Sequence, residues 1–186
     1  MRVLLTSAGL ETRTITECFV DLVGKDMSLV RALFIPTAAI DADAIAVLPK
    51  CMNDLLRCGV PKDRVTVCDL HAGMDLEALR RYDVVYLCGG STRYLLDRIN
   101  ATGFNEALTA YIRGNGMVIG VSAGSLIFAN NLSGHLGLID TKLDVHCATG
   151  ERPGRLTHPL KEHLRLTNER ALVIRDLRDG MEIIGE

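Results

Sequence analysis

Residues 117–124, Met-Val-Ile-Gly-Val-Ser-Ala-Gly, decide the fold of this chain. The apolar run Met117–Val121 predicts a buried β-strand, and a helical pattern follows from Ser125 to Asn130. The Gly-x-Ser-x-Gly between them is typical of a nucleophile elbow, in which a tight strand-to-helix turn presents a serine at the carboxyl edge of a sheet. A side chain at either glycine is expected to collide with the neighbouring strand or helix. The alternative is a glycine-rich turn in which Ser122 only caps the helix.

Short apolar runs alternate with longer helical patterns before this elbow. The runs are almost entirely apolar, as in strands that helices cover on both faces. We therefore predict an α/β fold with a doubly wound, mostly parallel sheet flanked by helices on both faces. Later runs at Leu172–Ile174 and Met181–Ile184 are expected to close the sheet, as antiparallel strands. The predicted strands before the elbow are Val3–Thr6, Leu33–Ile35, Val65–Cys68 and Val84–Leu87, and the predicted helices are Glu11–Val23, a stretch ending at Arg57, Asp75–Arg81, Thr92–Ile99 and Phe104–Arg113.

Composition narrows the class of protein. Apolar residues make up 48% and charged residues 24% of the 186 residues, and no repeat or linker interrupts them, so a single globular domain over 1–186 is predicted. The net charge is −2 and no basic block supports binding to nucleic acid or to an anionic membrane. No apolar run approaches the ~18–20 residues of a membrane span, and the first run is too short for a signal peptide. The six cysteines lack a Cys-x-x-Cys pair, so we expect reduced thiols in a cytoplasmic protein.

A second pair of glycines, Gly89-Gly90, ends the predicted strand Val84–Leu87. If that strand neighbours the elbow strand, both turns open at the edge where α/β sheets bind ligands. The backbone amides of Gly90 and Ala123 are then candidates for stabilising an oxyanion. The other interpretation is a close-packed turn with Ser91 or Thr92 as a helix cap. The glycine turns fit no phosphate-binding loop and no metal motif is present, so neither a cofactor nor a metal is predicted.

A serine nucleophile needs a base, and His146 is the leading candidate among five histidines. It follows the alternating segment Leu138–Val145, and a position at a strand end would hold an imidazole rigidly. His135 is the next candidate, whereas His158 and His163 lie in a polar stretch where a solvated surface role is expected. The residues alone leave the orienting acid open among Asp140, Asp144, Glu151, Asp179 and Glu182.

Four segments, in order, resemble the peptidase E family of serine peptidases, relatives of cyanophycinase in the class I glutamine-amidotransferase-like fold. The tandem of the last two, about thirty residues apart, is the most specific feature of the likeness. A glutaminase of the amidotransferase type is disfavoured because that chemistry uses a cysteine at the elbow. The segments are Leu4-Leu5-Thr6-Ser7-Ala8-Gly9, Phe34-Ile35-Pro36-Thr37-Ala38, Leu87-Cys88-Gly89-Gly90-Ser91-Thr92 and Gly120-Val121-Ser122-Ala123-Gly124-Ser125.

The resemblance implies hydrolysis of short peptides, mostly dipeptides with an amino-terminal aspartate, without a cofactor. It assigns the nucleophile to Ser122, the base to His146 and the oxyanion donors to Gly90 and Ala123. A late acid before a glycine matches one proposal for the third member of the site, which makes Asp179 the implied orienting acid. The family's Gly-Gly-Asn-Thr is Gly-Gly-Ser-Thr here. The predicted substrate-binding residues are Ser91, Thr92 and Arg93, with Arg152 and Arg155 as further arginines to test against an acidic group.

The rival hypothesis is a non-catalytic small-molecule-binding or chaperone-like protein on the same fold, because a fold alone does not define a function. A hydrogen bond between His146 and Ser122 would discriminate between the two hypotheses. The expected partner is a small peptide substrate. An exposed edge formed by the late strands could also pair with a second copy of the chain, as a homodimer.

Overall fold

The computed structural model describes residues 1–178 and 180–186. The strands of this part of the chain are β1 (Arg2–Thr6), β2 (Ala32–Ile35), β3 (Val65–Val67), β4 (Val84–Leu87), β5 (Met117–Val121), β6 (Lys142–Asp144), β7 (Gly154–Arg155), β8 (His163–Arg165), β9 (Arg170–Ile174) and β10 (Met181–Gly185). Eight of them form one sheet in the order β3-β2-β4-β5-β1-β9-β10-β7, and β6 pairs with β8 in a separate two-stranded sheet.

The first five strands of the large sheet are parallel to one another, which confirms the predicted architecture. β9 lies antiparallel to β1, and β10 lies antiparallel to β9, as predicted for the two late strands. β4 and β5 are neighbours, with Leu87 beside Gly120. The turns after these two strands therefore open at the same edge of the sheet.

Helices cover both faces of the sheet because its residues are apolar on both sides. The helices are α1 (Arg13–Val23), α2 (Ala42–Arg57), α3 (Leu76–Leu79), α4 (Thr92–Ala101), α5 (Phe104–Arg113) and α6 (Ala123–Leu126). On one face, α1 and α2 bury side chains such as Phe19 and Leu55 against Leu4 and Tyr86. On the other face, α3 to α6 pack against strand residues such as Leu5. The alternate residues of one strand thus belong to two different cores.

Side-chain caps set where the helices begin. The sequence predicts the first helix from Glu11, but Thr12 has an extended backbone and its side chain accepts a hydrogen bond from the amide of Ile15, so the helix starts at Arg13. Asp41 caps α2 in the same way through the amide of Ala44, at 2.8 Å. Pro49 lies inside α2 without ending it.

The region after the elbow differs from the prediction. The helix expected from Ser125 to Asn130 is a single turn, Ala123–Leu126, because the next carbonyls bond to a later segment instead of continuing the helix. The carbonyl of Ile127 accepts from Leu136 N, and that of Phe128 accepts from Leu138 N and Ile139 N. The segment 136–139 therefore packs against the residues that directly follow α6. In the described residues, no helix has both the length and the apolar character needed to cross a membrane.

Candidate active site

The elbow after β5 has the strained backbone that its sequence predicts. Ser122 has φ 49° and ψ −111°, a conformation that residues other than glycine rarely adopt. A Cβ at Gly120 would lie 2.4 Å from the carbonyl oxygen of Gly124, and one at Gly124 would lie 2.3 Å from that of Leu87. Both glycines are therefore required by close backbone contact, one with the following helix and one with the neighbouring strand β4.

The hydroxyl of Ser122 contacts a histidine. Its Oγ lies 3.0 Å from His146 Nε2, and Ser122 makes no side-chain capping bond to α6 within the described residues. The capping alternative is therefore not what the structure shows. Ser122 is partly exposed and His146 is exposed, so the pair is accessible to a ligand.

The other ring nitrogen of His146 contacts an amide side chain. Nδ1 lies 2.8 Å from Asn168 Oδ1. With the amide oxygen facing the ring, Asn168 accepts a hydrogen from Nδ1, and the Nε2 lone pair is then free for the Ser122 hydroxyl. The acid predicted for this orienting role, Asp179, lies outside the described residues and stays a prediction.

The loop that carries His146 differs from the prediction. His146 does not end a strand; it lies two residues beyond β6, and its φ is 57°. Its backbone amide donates to Ser7 Oγ at 2.6 Å, and the Ser7 hydroxyl donates to Asn168 Oδ1 at 3.2 Å. Ser7 follows β1 and is buried. The three residues thus form one hydrogen-bonded unit behind the Ser122 hydroxyl.

The predicted oxyanion donors are the backbone amides of Gly90 and Ala123, and their role in binding an oxyanion stays a prediction. Neither amide has an acceptor among the described residues, and Gly90 also lines the cavity over Ser122. Gly90 has φ +133°, and a Cβ there would lie 2.1 Å from the carbonyl oxygen of Ala38. Only glycine fits at position 90, where the turn after β4 packs against the backbone of Ala38.

A cavity of about 450 Å³ opens over the Ser122–His146 pair. One wall is formed by residues of α2, whose place in the site is not predicted from the sequence, although the carboxyl end of β2 leads to the same sheet edge. Val47 is 49% exposed on this wall, so a ligand that covered its side chain would bury apolar surface and be stabilised by that contact. The cavity is lined by Ser7, Ala8, Asp43, Ala44, Val47, Leu48, Lys50, Cys51, Gly89, Gly90, Val121, Ser122, His146 and Asn168.

The predicted substrate-binding residues lie beside this cavity rather than on its wall. The side chain of Ser91 accepts from the amide of Tyr94 at 3.3 Å, which is the capping alternative for this residue. Thr92 begins α4 and Arg93 is exposed on it. Their role in substrate binding stays a prediction.

Cys88 and Cys147, the cysteines closest in sequence to the two glycine turns and His146, are not placed as nucleophiles. Cys88 is buried beneath the Gly89-Gly90 turn, and burial raises the pKa of its thiol far above the ordinary value. The thiol of Cys147 points to the carbonyl oxygen of Val145, at 3.8 Å. The residue at the elbow turn is therefore a serine and not a cysteine.

A serine on a strained strand-to-helix turn, in contact with a histidine at the edge of a doubly wound sheet, is an arrangement typical of serine hydrolases. Within that class the chain belongs to peptidase family S51, whose family model matches residues 3–143. This match confirms the resemblance to peptidase E.

Curated relatives are peptidases without a characterised activity. An uncharacterized peptidase of Pasteurella multocida is 28% identical over 99 residues, which are 53% of this chain and 48% of the relative. One of Listeria monocytogenes is 27% identical over 118 residues, 63% of this chain and 55% of the relative. The matched part therefore spans about half the length of these relatives.

Two solved structures share the fold. A Listeria monocytogenes protein named as a candidate peptidase E superposes with a TM-score of 0.71 at 21% identity, covering 100% of this chain and 97% of the other. A peptidase from an acI-B1 Actinobacterium superposes with a TM-score of 0.65 at 16% identity, covering 100% and 87%. At these identities the likeness establishes the fold.

Proposed function

We propose that this chain is a serine peptidase that hydrolyses short peptides, foremost dipeptides with an amino-terminal aspartate, through an acyl-enzyme on Ser122. The observation that carries the proposal is the 3.0 Å contact between Ser122 Oγ and His146 Nε2, with Nδ1 bonded to Asn168. A serine hydroxyl is a weak nucleophile until a neighbouring base takes its proton, and His146 lies within hydrogen-bond distance to act as that base.

The reaction proceeds in two halves. His146 Nε2 takes the hydroxyl proton as Ser122 Oγ attacks the scissile carbonyl, and the amides of Gly90 and Ala123 bind the developing oxyanion. The protonated His146 then gives that proton to the departing amine, which leaves an ester on Ser122. Water, deprotonated by His146, attacks the ester, and collapse of the second intermediate returns the proton to Ser122.

Asn168 takes the orienting role in this proposal because Nδ1 carries one hydrogen and Asn168 accepts it. A neutral amide orients the imidazole without adding a negative charge beside the imidazolium that forms during the reaction. Replacement of Asn168 by Leu is therefore expected to lower kcat, whereas Asp179→Asn tests the sequence prediction. If Asp179→Asn alone abolished turnover, the assignment to Asn168 would be wrong.

An amino-terminal aspartate brings a carboxylate into the cavity, and Lys50 is the basic side chain on the described cavity wall. In the free protein Lys50 pairs with Glu11, an exposed residue ahead of α1. A substrate carboxylate can replace Glu11 as the partner of Lys50. Since exposed ion pairs are weak, we expect a preference of at most about fivefold from this contact.

A peptide panel tests the substrate assignment. Asp-Leu, Asn-Leu and Ala-Leu share a leaving group, and Asn differs from Asp by charge at nearly constant shape. We expect kcat/KM to be highest for Asp-Leu and the advantage over Asn-Leu to disappear in Lys50→Met, but not in Lys62→Met, which removes an exposed lysine elsewhere. Equal rates for all three peptides would refute the aspartate preference, and hydrolysis of none would favour a binding protein.

A further inference from the structure

The hydrogen-bonded unit behind Ser122 contains an ambiguity that the Asn168–His146 contact does not resolve. An amide can present its oxygen to an Nδ1–H, or, turned over, present its NH₂ group to a bare Nδ1. The second arrangement puts the ring hydrogen on Nε2, where it faces Ser122. A histidine in that tautomer cannot accept the serine proton, although both arrangements satisfy the Asn168–His146 pair equally.

The Ser7 hydroxyl distinguishes the two arrangements. It accepts the His146 backbone amide at 2.6 Å, and it donates its one hydrogen to Asn168 Oδ1 at 3.2 Å. If the amide turned over, that hydrogen would face an NH₂ group. Ser7 is fully buried, so the hydroxyl hydrogen would lose its acceptor where solvent does not readily replace it.

We infer that Ser7 is a positioning residue that fixes the orientation of the Asn168 amide, and thereby keeps the hydrogen of His146 on Nδ1. The chain of contacts is directional: Ser7 O–H to Asn168 Oδ1, His146 Nδ1–H to the same oxygen, and Ser122 O–H to His146 Nε2. The backbone bond from His146 to Ser7 also holds the histidine at its φ of 57°. The kinetic consequence rests on the proposed function, but the tautomer is measurable without any substrate.

The direct test is long-range ¹H–¹⁵N correlation on protein labelled with ¹⁵N-histidine. His146 is one of five histidines and is assigned by the signal that disappears in His146→Gln. We expect a protonated-type Nδ1 and a bare-type Nε2 in the wild type, and a shift towards the opposite pattern in Ser7→Ala. Unchanged ring nitrogens in Ser7→Ala would overturn the inference, whether or not the protein proves to be a peptidase.

Kinetics provide the second readout. Ser7→Ala is expected to lower kcat roughly 10- to 100-fold, the rate equivalent of one buried hydrogen bond, with KM changed less than about threefold. Ser7→Cys keeps a side chain of similar size with a weaker donor and should give an intermediate rate. This second variant keeps the test usable if Ser7→Ala folds poorly.

A matched control removes a comparable hydroxyl elsewhere. Thr37 is 3% exposed; its Oγ1 donates to Asp69 Oδ1 at 2.8 Å and accepts from the amide of Leu70 at 2.9 Å. Thr37→Val should cost stability as Ser7→Ala does, yet leave the His146 nitrogens and kcat unchanged. A loss of kcat in Thr37→Val equal to that in Ser7→Ala would reduce the role of Ser7 to general stability.

A double-mutant cycle tests the route through Asn168. A carboxylate has two equivalent oxygens, so Asn168→Asp has no wrong orientation for Ser7 to prevent. The factor that Ser7→Ala removes from kcat should shrink at least severalfold in the Asn168→Asp background. An equal loss in both backgrounds would show that Ser7 does not act through the amide, and would leave the proposed peptidase activity intact.

Discussion

The contact between the elbow and β4 should make Gly124→Ala one of the most damaging small substitutions in the chain. The new Cβ would lie 2.3 Å from the carbonyl oxygen and 2.8 Å from the carbonyl carbon of Leu87, about 1 Å inside the 3.4 Å at which ordinary contact begins. Both partners are backbone and Leu87 is buried in the sheet, so neither can move aside cheaply. Overpacking of this kind costs about 1–3 kcal/mol, and we expect the upper value.

For a domain of this size, about 3 kcal/mol lowers Tm by roughly 6–12 °C. A displacement of the elbow by about 1 Å also moves Ser122 relative to His146, which can cost on the order of 100-fold in kcat/KM. Differential scanning calorimetry and peptide hydrolysis measure the two effects. The matched control is Gly114→Ala, where φ is −76° and the nearest atom lies 3.3 Å from the new Cβ. The reasoning is refuted if both variants melt within 2 °C of the wild type, a margin of roughly 1 kcal/mol or less.

Two further predictions concern stability. Tyr86 is buried and donates to Asp54 Oδ2 at 2.8 Å, so Tyr86→Phe should cost about 1–2 kcal/mol at pH 8. Burial raises the pKa of Tyr86 well above its ordinary value of 10.0, so the stability that the neutral phenol contributes is complete below pH 10 and is lost as the pH rises further. The difference in free energy of unfolding between the wild type and Tyr86→Phe, measured with urea, should therefore become smaller from pH 10 upwards. A difference that stays constant with pH would contradict this prediction. Asp41→Ala removes the cap of α2 and should lower the free energy of unfolding by about 1 kcal/mol at an unchanged m-value. Asp41→Asn keeps the hydrogen-bond acceptor and should stay within a few tenths of a kcal/mol of the wild type. Equal losses in the two variants would exclude capping as the cause.

The parallel half of the fold was predictable because burial on both faces leaves uninterrupted apolar runs. Strand runs such as Val84–Leu87 and Met117–Val121 match the observed strands. The elbow glycines were predictable from their motif, because the backbone of the turn lies so close to its neighbours that no other residue fits there. β7 and β8 were missed because they are only two and three residues long, and most of their residues are exposed or half-buried, so they leave no apolar run.

The rear of the site was harder to predict because its members are brought together by the late strands. Asn168 precedes β9, and β9 is antiparallel to β1, with Ala171 beside Thr6. The residues before an antiparallel strand lie at the same edge as the carboxyl ends of the parallel strands, so Asn168 meets Ser7 there. That topological rule, applied to the predicted strand Leu172–Ile174, could have indicated Asn168. The sequence predicts His146 at a rigid strand end, whereas the structure holds it in a left-handed turn through a hydrogen bond to Ser7.

The most direct test of the central claim is covalent labelling by a fluorophosphonate, read by intact mass. The probe reacts with a serine whose proton a neighbouring base can take, so it reports activation without requiring the natural substrate. The account predicts a single adduct on the wild-type protein, none on Ser122→Ala and strongly reduced labelling of His146→Ala. A wild-type protein that stays unlabelled, while a small phosphonate is shown to enter the same cavity, would contradict the account and favour a binding protein on this fold.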